Sequence, residues 1–241
     1  MRFSFNTMSA EVISTFFSNE STSQENGKRS QDISEDFLHL IDELNISLEQ
    51  FPMPAAVKYV YNPTIYARRT FEMYVRKYCN RKKRIMYFGM NPGPFGMSQT
   101  GISGKRFWGL FKDICKTPDK FFETSFVYNY LNQQWMKSNG CNLTPSDFKV
   151  SEMEPLYNIC DPTFIKVLEL YEVEKIVAVG KFCESRAQKA ISKYCPHKSI
   201  EILYLPHPSP RTVNNNDWDK KAVEHLKKLN IIKYYVNEKP K

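Results

Sequence analysis

Four short apolar runs do most to limit what this chain can fold into: R-I-M-Y-F-G at 84–89, T-S-F-V-Y-N-Y at 124–130, K-I-V-A-V-G at 175–180 and E-I-L-Y-L at 201–205. Each is continuous rather than alternating, as suits a strand buried on both faces of a parallel sheet. Helical spacing fills the intervals at 106–115, 163–172 and 182–193, and returns at 218–229 after the last run. Strands alternating with helices predict an α/β fold, an open sheet with helices on both sides.

Upstream, residues 18–35 are polar, and 1–35 reads as a disordered N-terminal tail. Regular structure is expected from near Asp36, where Phe37, Leu38, Ile41 and Leu44 have helical spacing. Pro52, Pro54 and Pro63 break an extended segment, a second helix is expected over 64–78, and 36–241 then forms one domain. With 41% hydrophobic and 14% aromatic residues, the 241-residue chain has material for a core, which excludes a wholly disordered protein. No run approaches the roughly 20 apolar residues of a spanning helix, so no membrane partner is expected. The start has neither a long apolar stretch nor a small-residue cleavage site, so no secretory signal is expected.

The cysteines, Cys79, Cys115, Cys141, Cys160, Cys183 and Cys195, include no Cys-x-x-Cys pair and read as reduced structural thiols of a cytosolic or nuclear protein. Cys195 with His197 alone does not make a zinc site, and the spacing does not suit an iron–sulfur cluster, so no metal is expected. Lys+Arg outnumber Asp+Glu by 34 to 26, a net charge of +8. The basic residues cluster at 77–84, at Lys105-Arg106 and at 220–233. That suits a polyanionic partner, and it equally suits solubility and solvated helix faces.

The apolar runs stop in loop-forming or polar residues: Met90-Asn91-Pro92-Gly93, Asn129, Gly180-Lys181 and Pro206-His207-Pro208. In open α/β sheets ligands bind outside the carboxyl ends of the strands, so Asn91, Asn129 and His207 can converge there. The first motif, G-M-N-P-G-P-F-G-M-S-Q-T-G at 89–101, is neither a phosphate loop nor a dinucleotide fingerprint. Its two prolines around Gly93 make a rigid loop that can hold Asn91 and nearby amides in place. The second motif, L-P-H-P-S-P-R at 205–211, sets His207 among three prolines, and Ser209 and Arg211 can contact phosphates. Taken singly, each motif also reads as an ordinary surface turn.

Together the two motifs resemble the uracil-DNA glycosylase superfamily, most closely its single-strand-selective monofunctional type. Further matching pieces are S-G-K-R-F-W-G at 103–109, F-V-Y-N-Y at 126–130, G-C-N-L-T-P at 140–145, V-A-V-G-K-F at 177–182 and the terminal helix after Trp218. The resemblance implies a three-layer α/β/α sandwich around a short, mainly parallel four-stranded sheet. It also implies a DNA repair enzyme that flips uracil, and 5-hydroxymethyluracil and related bases, out of single- or double-stranded DNA. The N-glycosidic bond is then hydrolysed, leaving an abasic site for base excision repair.

On that resemblance the catalytic residues are Asn91, which orients the attacking water, and His207, which hydrogen-bonds uracil O2 as negative charge grows on the ring. Met90, Gly93, Pro94, Phe95 and Asn129 bind the base. The Asn129 amide can donate to O4 and accept from N3–H, a pattern that cytosine reverses. Without the resemblance, Asn129 reads as well as a strand-end cap. Gly93 leaves room beside C5. Asn139, Gly140, Asn142 and Thr144 lie along the DNA, and Pro208, Ser209, Pro210 and Arg211 begin the wedge into a duplex. No cofactor and no lysine nucleophile are implied. The implied partners are DNA containing uracil or oxidised pyrimidines and downstream abasic-site repair enzymes, with the chain a monomer in the nucleus.

The chain departs from the family pattern at one place. The family continues after Gln-Thr-Gly with a hydrophobic-Pro-Phe-Gly piece and a helix-containing stretch before Ser-Gly-x-Arg-Phe-Trp-Gly. Here Gln99-Thr100-Gly101 passes through Ile102 straight into Ser103. The skipped stretch carries the Phe that stacks on the flipped base, and Phe107, part of the next helix motif, is a poor substitute. Such stacking is worth about 1–3 kcal/mol, so loss of the ring alone weakens rather than abolishes an enzyme. A splice or gene-model omission and a genuine shortened variant both account for the gap. The alternative function is a catalytically impaired relative that binds DNA or damage without turnover.

Overall fold

The computed structural model describes residues 32–93, 101–210 and 215–236. Within them the strands are β1 (Tyr59–Tyr61), β2 (Ile85–Gly89), β3 (Ser125–Asn129), β4 (Gln134–Met136), β5 (Asn142–Leu143), β6 (Lys175–Val179) and β7 (Glu201–Leu205). The α-helices are α1 (Ile33–Glu49), α2 (Pro63–Tyr66), α3 (Arg68–Tyr78), α4 (Ile102–Cys115), α5 (Pro118–Thr124), α6 (Val150–Tyr171), α7 (Lys181–Tyr194) and α8 (Trp218–Lys228). Strands β3, β2, β6 and β7, in that order, form a wholly parallel sheet flanked by helices, which is the expected three-layer α/β/α sandwich. Among the described residues no helix is long and apolar enough to cross a membrane.

The sheet shows why its strands read as unbroken apolar runs. Ile85, Met86, Tyr87 and Phe88 of β2 are all fully buried, because successive side chains enter opposite layers. Tyr87 meets Phe107 and Phe111 of α4 and Phe121 of α5, with ring centroids 5.6, 4.9 and 5.4 Å away. Phe88 points the other way and stacks on Phe164 of α6 at 4.5 Å. Each such ring is worth about 1.5–3 kcal/mol when buried, with a smaller gain from ring–ring geometry.

Elsewhere the structure corrects the sequence reading. Helix α1 starts at Ile33, with the Asp32 side chain accepting from the Ser34 N–H, so 33–35 belong to the helix rather than to the tail; residues 1–31 lie outside the described part. The helix expected over 64–78 is interrupted at Ala67 into α2 and α3. Helix α6 is 22 residues long, although only 163–172 read as helical. Pro155 and Pro162 lie inside it and each removes one backbone donor, yet Leu156, Cys160, Phe164 and Leu168 bury a continuous face that outweighs the loss.

A second sheet went unforeseen: β1, β4 and β5 pair antiparallel in the order β1-β4-β5. Its inner face carries Trp135, fully buried and stacked on Phe51 at 5.7 Å. The β4–β5 hairpin leaves the parallel sheet just after β3 and so stands beside the carboxyl ends of the strands.

Candidate active site

Three strand ends supply the polar residues singled out above. Beyond β2 and β3 the two chains stay zipped together: the Tyr130 N–H donates to Gly89 O and the Leu131 N–H to Met90 O, both at 2.9 Å. This places Asn129 directly beside Gly89 and fixes the start of the Met90–Gly93 loop. Asn91 Nδ2 donates to Pro92 O at 3.2 Å and to Gln133 O at 3.4 Å. Its Oδ1 has no hydrogen-bond partner among the described residues, and neither polar atom of the Asn129 side chain has one. The Ser146 hydroxyl contacts Met90 Sδ at 3.4 Å, which brings the segment after β5 against the same loop.

His207 follows β7 in a loop held from three sides. Trp218 Nε1 donates to Pro206 O at 2.9 Å. Asn215 Nδ2 donates to His207 O at 3.0 Å and to Ser209 O at 2.6 Å. Arg106 Nη1 donates to Pro208 O at 3.2 Å and Asn215 O at 3.3 Å, bridging the two stems of the loop. Inside the loop, the Ser209 N–H donates to His207 Nδ1 at 3.1 Å. The neutral ring therefore carries its proton on Nε2 and presents a donor there. His207 reaches solvent, but the protein packed around the ring desolvates it and lowers its pKa from 6.5, so the neutral form prevails at neutral pH.

Between the asparagines and the histidine lies the end of β6. Strand β7 is two strands from β2, and neighbouring strands are about 4.8 Å apart, so roughly 10 Å separates the two ends. That is the backbone spacing of the strands that lead to Asn91 and His207, and Asn129, on β3, is one strand further from His207. Gly180, just after β6, has φ 97°, a conformation that favours glycine, and a Cβ there would come 3.5 Å from His207 Cβ.

The residues expected along the DNA fall into two groups. Asn139 and Gly140 form the turn of the β4–β5 hairpin, where Asn139 Oδ1 accepts from the Cys141 N–H at 3.1 Å. Asn142 opens β5, and its Oδ1 is buried without a partner among the described residues. The Thr144 hydroxyl and N–H are both bonded to Asp147 Oδ2, at 2.8 and 2.7 Å, so Thr144 caps a short turn. Pro208, Ser209 and Pro210 belong to the His207 loop, with Pro208 buried and Pro210 exposed. Gly93 closes the first described stretch of its loop. Pro94, Phe95 and Arg211 lie outside the described residues.

The join at Gly101 is an ordinary helix start, with the Lys105 N–H donating to Gly101 O at 2.9 Å. Phe107, nearly two turns later, is fully buried against Tyr87 and has no face for a flipped base. Sequence reasoning missed the supporting residues Gln133 and Asn215, and met Gly89 only as the first residue of a motif. It met Arg106 only as part of a basic pair and a matching motif. The asparagine run 214–216 before the terminal helix was the one available signal for Asn215.

An α/β/α sheet with this cluster of amides and a held imidazole at its carboxyl edge defines a class that the family comparison names. The model of the Uracil DNA glycosylase superfamily matches residues 76–230, from the end of α3 through all four parallel strands to just past α8. The chain belongs to the uracil DNA glycosylase superfamily.

Within the superfamily it is similar to the single-strand selective monofunctional uracil-DNA glycosylases of Rattus norvegicus and Mus musculus. Each is 32% identical over 247 aligned positions that cover 86% of this chain and 88% of the relative. The Bos taurus protein is 32% identical over 241 positions, covering 83% of this chain and 88% of its own. An alignment of 247 positions that uses 86% of a 241-residue chain leaves roughly 40 positions of the rat relative facing no residue here, in keeping with a shortened chain. The crystal structure of wild-type Pedobacter heparinus SMUG2 has the same fold, with a TM-score of 0.57 at 15% identity over 80% of this chain and 98% of that one.

Proposed function

We propose that this chain is a monofunctional uracil-DNA glycosylase of base excision repair that works as a monomer in the nucleus. It takes uracil, and uracils with small 5-substituents such as 5-hydroxymethyluracil, from single- or double-stranded DNA. Water forms a bond to C1′ as the bond from C1′ to N1 breaks, and the products are free base and an abasic site for downstream repair enzymes. The observation that carries this reading is an uncommitted carboxamide, Asn91, at a strand end two strands from an imidazole whose donor is fixed, with a second, Asn129, at the neighbouring strand end.

Each residue has a chemical task that its setting suits. Asn91 keeps Oδ1 free to accept from the attacking water while Nδ2 is tied to Pro92 and Gln133. His207 presents Nε2–H to O2, where charge develops as the bond breaks, and such a fixed donor is worth about 10²–10³ in rate. Asn129 offers one donor and one acceptor to O4 and N3–H. Met90, Gly93, Pro94 and Phe95 shape the base pocket. Asn139, Gly140, Asn142 and Thr144 on one side, and Pro208, Ser209, Pro210 and Arg211 on the other, contact the DNA. Flipping the base takes a few kcal/mol, least from single strands.

A second reading rests on the buried Phe107 and the roughly 40 unmatched positions: DNA is bound and the base is not released. One experiment separates the two. Base release is followed on a single-stranded oligonucleotide with one deoxyuridine, by alkali cleavage, with wild type beside His207→Ala. Cleavage that is lost in the variant supports the glycosylase. A folded wild-type protein that binds the oligonucleotide and releases nothing, with enzyme in excess, overturns it in favour of the binding relative.

A further inference from the structure

The end of β2 carries no side chain at the place where it faces Asn129. Gly89 and Asn129 are cross-strand partners in the parallel sheet. A methyl group built at position 89 falls inside 3.0 Å of Asn129 Oδ1, closer than real Cβ atoms come to their neighbours. Its next neighbours, Asn129 Cγ at 3.6 Å and Tyr128 O at 3.9 Å, are at ordinary contact distance. The clash is therefore with the tip of the carboxamide alone.

Backbone conformation does not call for glycine here. Gly140 and Gly180 are the described glycines with positive φ, and Gly89 is not among them. Inside a strand, glycine weakens the structure and leaves nothing to pack. What it supplies at 89 is space, and the group that fills the space is the Asn129 amide. No hydrogen bond among the described residues holds that amide in place. Its orientation rests on the backbone bonds that flank it and on its seat over Gly89.

We propose that Gly89 is a specificity-determining positioning residue, whose bare Cα is the seat that aims the Asn129 carboxamide at the edge of the base. The proposal rests on Asn129 reading the base, as set out above. With a methyl group at 89 the amide must rotate about its side-chain bonds. The fold absorbs that cheaply, because only a side-chain tip has to move, whereas an ångström of misplacement at the reacting group costs about 10²-fold in rate.

Four proteins test this: wild type, Gly89→Ala, Asn129→Ala and the double variant. Two readouts are taken for each, the single-turnover rate of uracil release from a single-stranded oligonucleotide, and the affinity for the same strand carrying 2′-fluoro-deoxyuridine relative to 2′-fluoro-deoxycytidine. The second works whether or not the protein turns over. Tm is measured alongside. The expected result is that Gly89→Ala keeps its Tm, loses most of the uracil preference and about 10²-fold in rate, and adds nothing on top of Asn129→Ala. Gly89→Ala that matches wild type, or that repeats its full loss in the Asn129→Ala background, overturns the proposal while Asn129 stays the reader. Asn129→Ala with unchanged preference overturns the role of Asn129 and the proposal with it. If Gly89→Ala lowers the Tm, the same contact requires that Asn129→Ala restore it, and a loss that persists in the double variant overturns the proposal.

Discussion

The Ser209 backbone N–H donates to His207 Nδ1 at 3.1 Å. One hydrogen bond thus sets which ring nitrogen carries the proton, and the pKa lowered from 6.5 by desolvation keeps the ring neutral above that value. A second proton would put an N–H on Nδ1 facing the Ser209 N–H. Base release is therefore expected to be flat in His207's protonation above pH 6.5 and to fall below it, with that acid limb absent from His207→Ala. His207→Ala is expected to slow release about 10²–10³-fold with a far smaller effect on DNA affinity. Stability has the same sign: the unfolded ring takes its proton near 6.5 before the folded ring does, so His207 costs stability as pH falls. Single-turnover rates from pH 5 to 8 check the first point and urea unfolding over the same range the second.

Asn129→Asp replaces a donor–acceptor pair with an acceptor-only carboxylate. Uracil O4 then meets no donor and N3–H keeps its acceptor, so release of uracil is expected to fall by about 10²-fold or more. Single-turnover release from the deoxyuridine oligonucleotide measures this. Unchanged rate and preference would make Asn129 a strand-end residue and nothing more.

The four parallel strands were legible almost to the residue: β2 and β6 are buried on both faces, which forbids a polar alternation, and the edge strand β7 keeps an apolar run although Glu201 is exposed and Ile202 and Tyr204 are half-buried. Ser125–Asn129 and Glu201–Leu205 sit within or upon their apolar runs. Asn91, Asn129 and His207 stood out for the related reason that each is the polar residue where such a run stops. The small sheet was not legible, since β5 has two residues and β1 and β4 three each, too few to show a period. Helix α6 was hidden by Pro155 and Pro162, which local reasoning takes as stops although tertiary packing overrides them. The residues that hold the site lie far off in sequence: Gln133 is 42 positions from Asn91, and Arg106 is 102 from Pro208. Nothing local marks such partners.

Lys83 is buried before β2, with its ammonium group bonded to Phe122 O. Desolvation pushes its pKa down to about 8 from 10.5. The folded amine is more readily neutral than the unfolded one, so its cost to stability is full below pH 8 and shrinks as pH rises toward 10.5. Burial also raises the thiols of Cys79 and Cys115, to about 12, which destabilises the fold above pH 9 in any variant that retains them. The stability of wild type relative to Lys83→Met is expected to rise by about 2 kcal/mol between pH 7.5 and 9.5. Urea unfolding of both proteins at the two pH values measures it.

Asp161, on α6, accepts from the Tyr130 hydroxyl at 2.7 Å and pairs with Arg186 of α7 at 3.1 Å. The pair is almost wholly buried, and Arg186 also covers the Tyr157 ring at 4.4 Å. Desolvation raises the Asp161 pKa, so losing its cation leaves a buried charge with one neutral donor. Arg186→Ala is expected to cost about 3–5 kcal/mol at pH 7. The cost should shrink as pH falls and the carboxyl, its pKa raised by desolvation, takes a proton, and denaturant unfolding at pH 7 and at acid pH reads the difference. Because Tyr130 directly follows Asn129, Asp161→Asn should also slow uracil release at temperatures where the protein stays folded.

Arg106, from α4, and Asn215, on the far stem of the loop itself, hold the His207 loop. Asn215 is buried, and its one amide group serves the carbonyls of His207 and Ser209. Asn215→Ala leaves both oxygens short of a donor, at about 1–3 kcal/mol. Arg106→Ala frees Pro208 O from its bridge to the Asn215 stem. The hydrogen bonds lost are all to carbonyls of the loop, so the penalty falls on the loop and not on the sheet. Both variants are expected to keep a Tm within a few degrees of wild type and to lower the single-turnover rate about 10-fold or more, since a donor displaced by an ångström is lost to the developing charge at O2. Affinity for a strand without deoxyuridine should change little in Asn215→Ala and fall modestly in Arg106→Ala, which also removes a cation. A rate equal to that of wild type in both would mean that the three prolines around His207 shape the loop unaided.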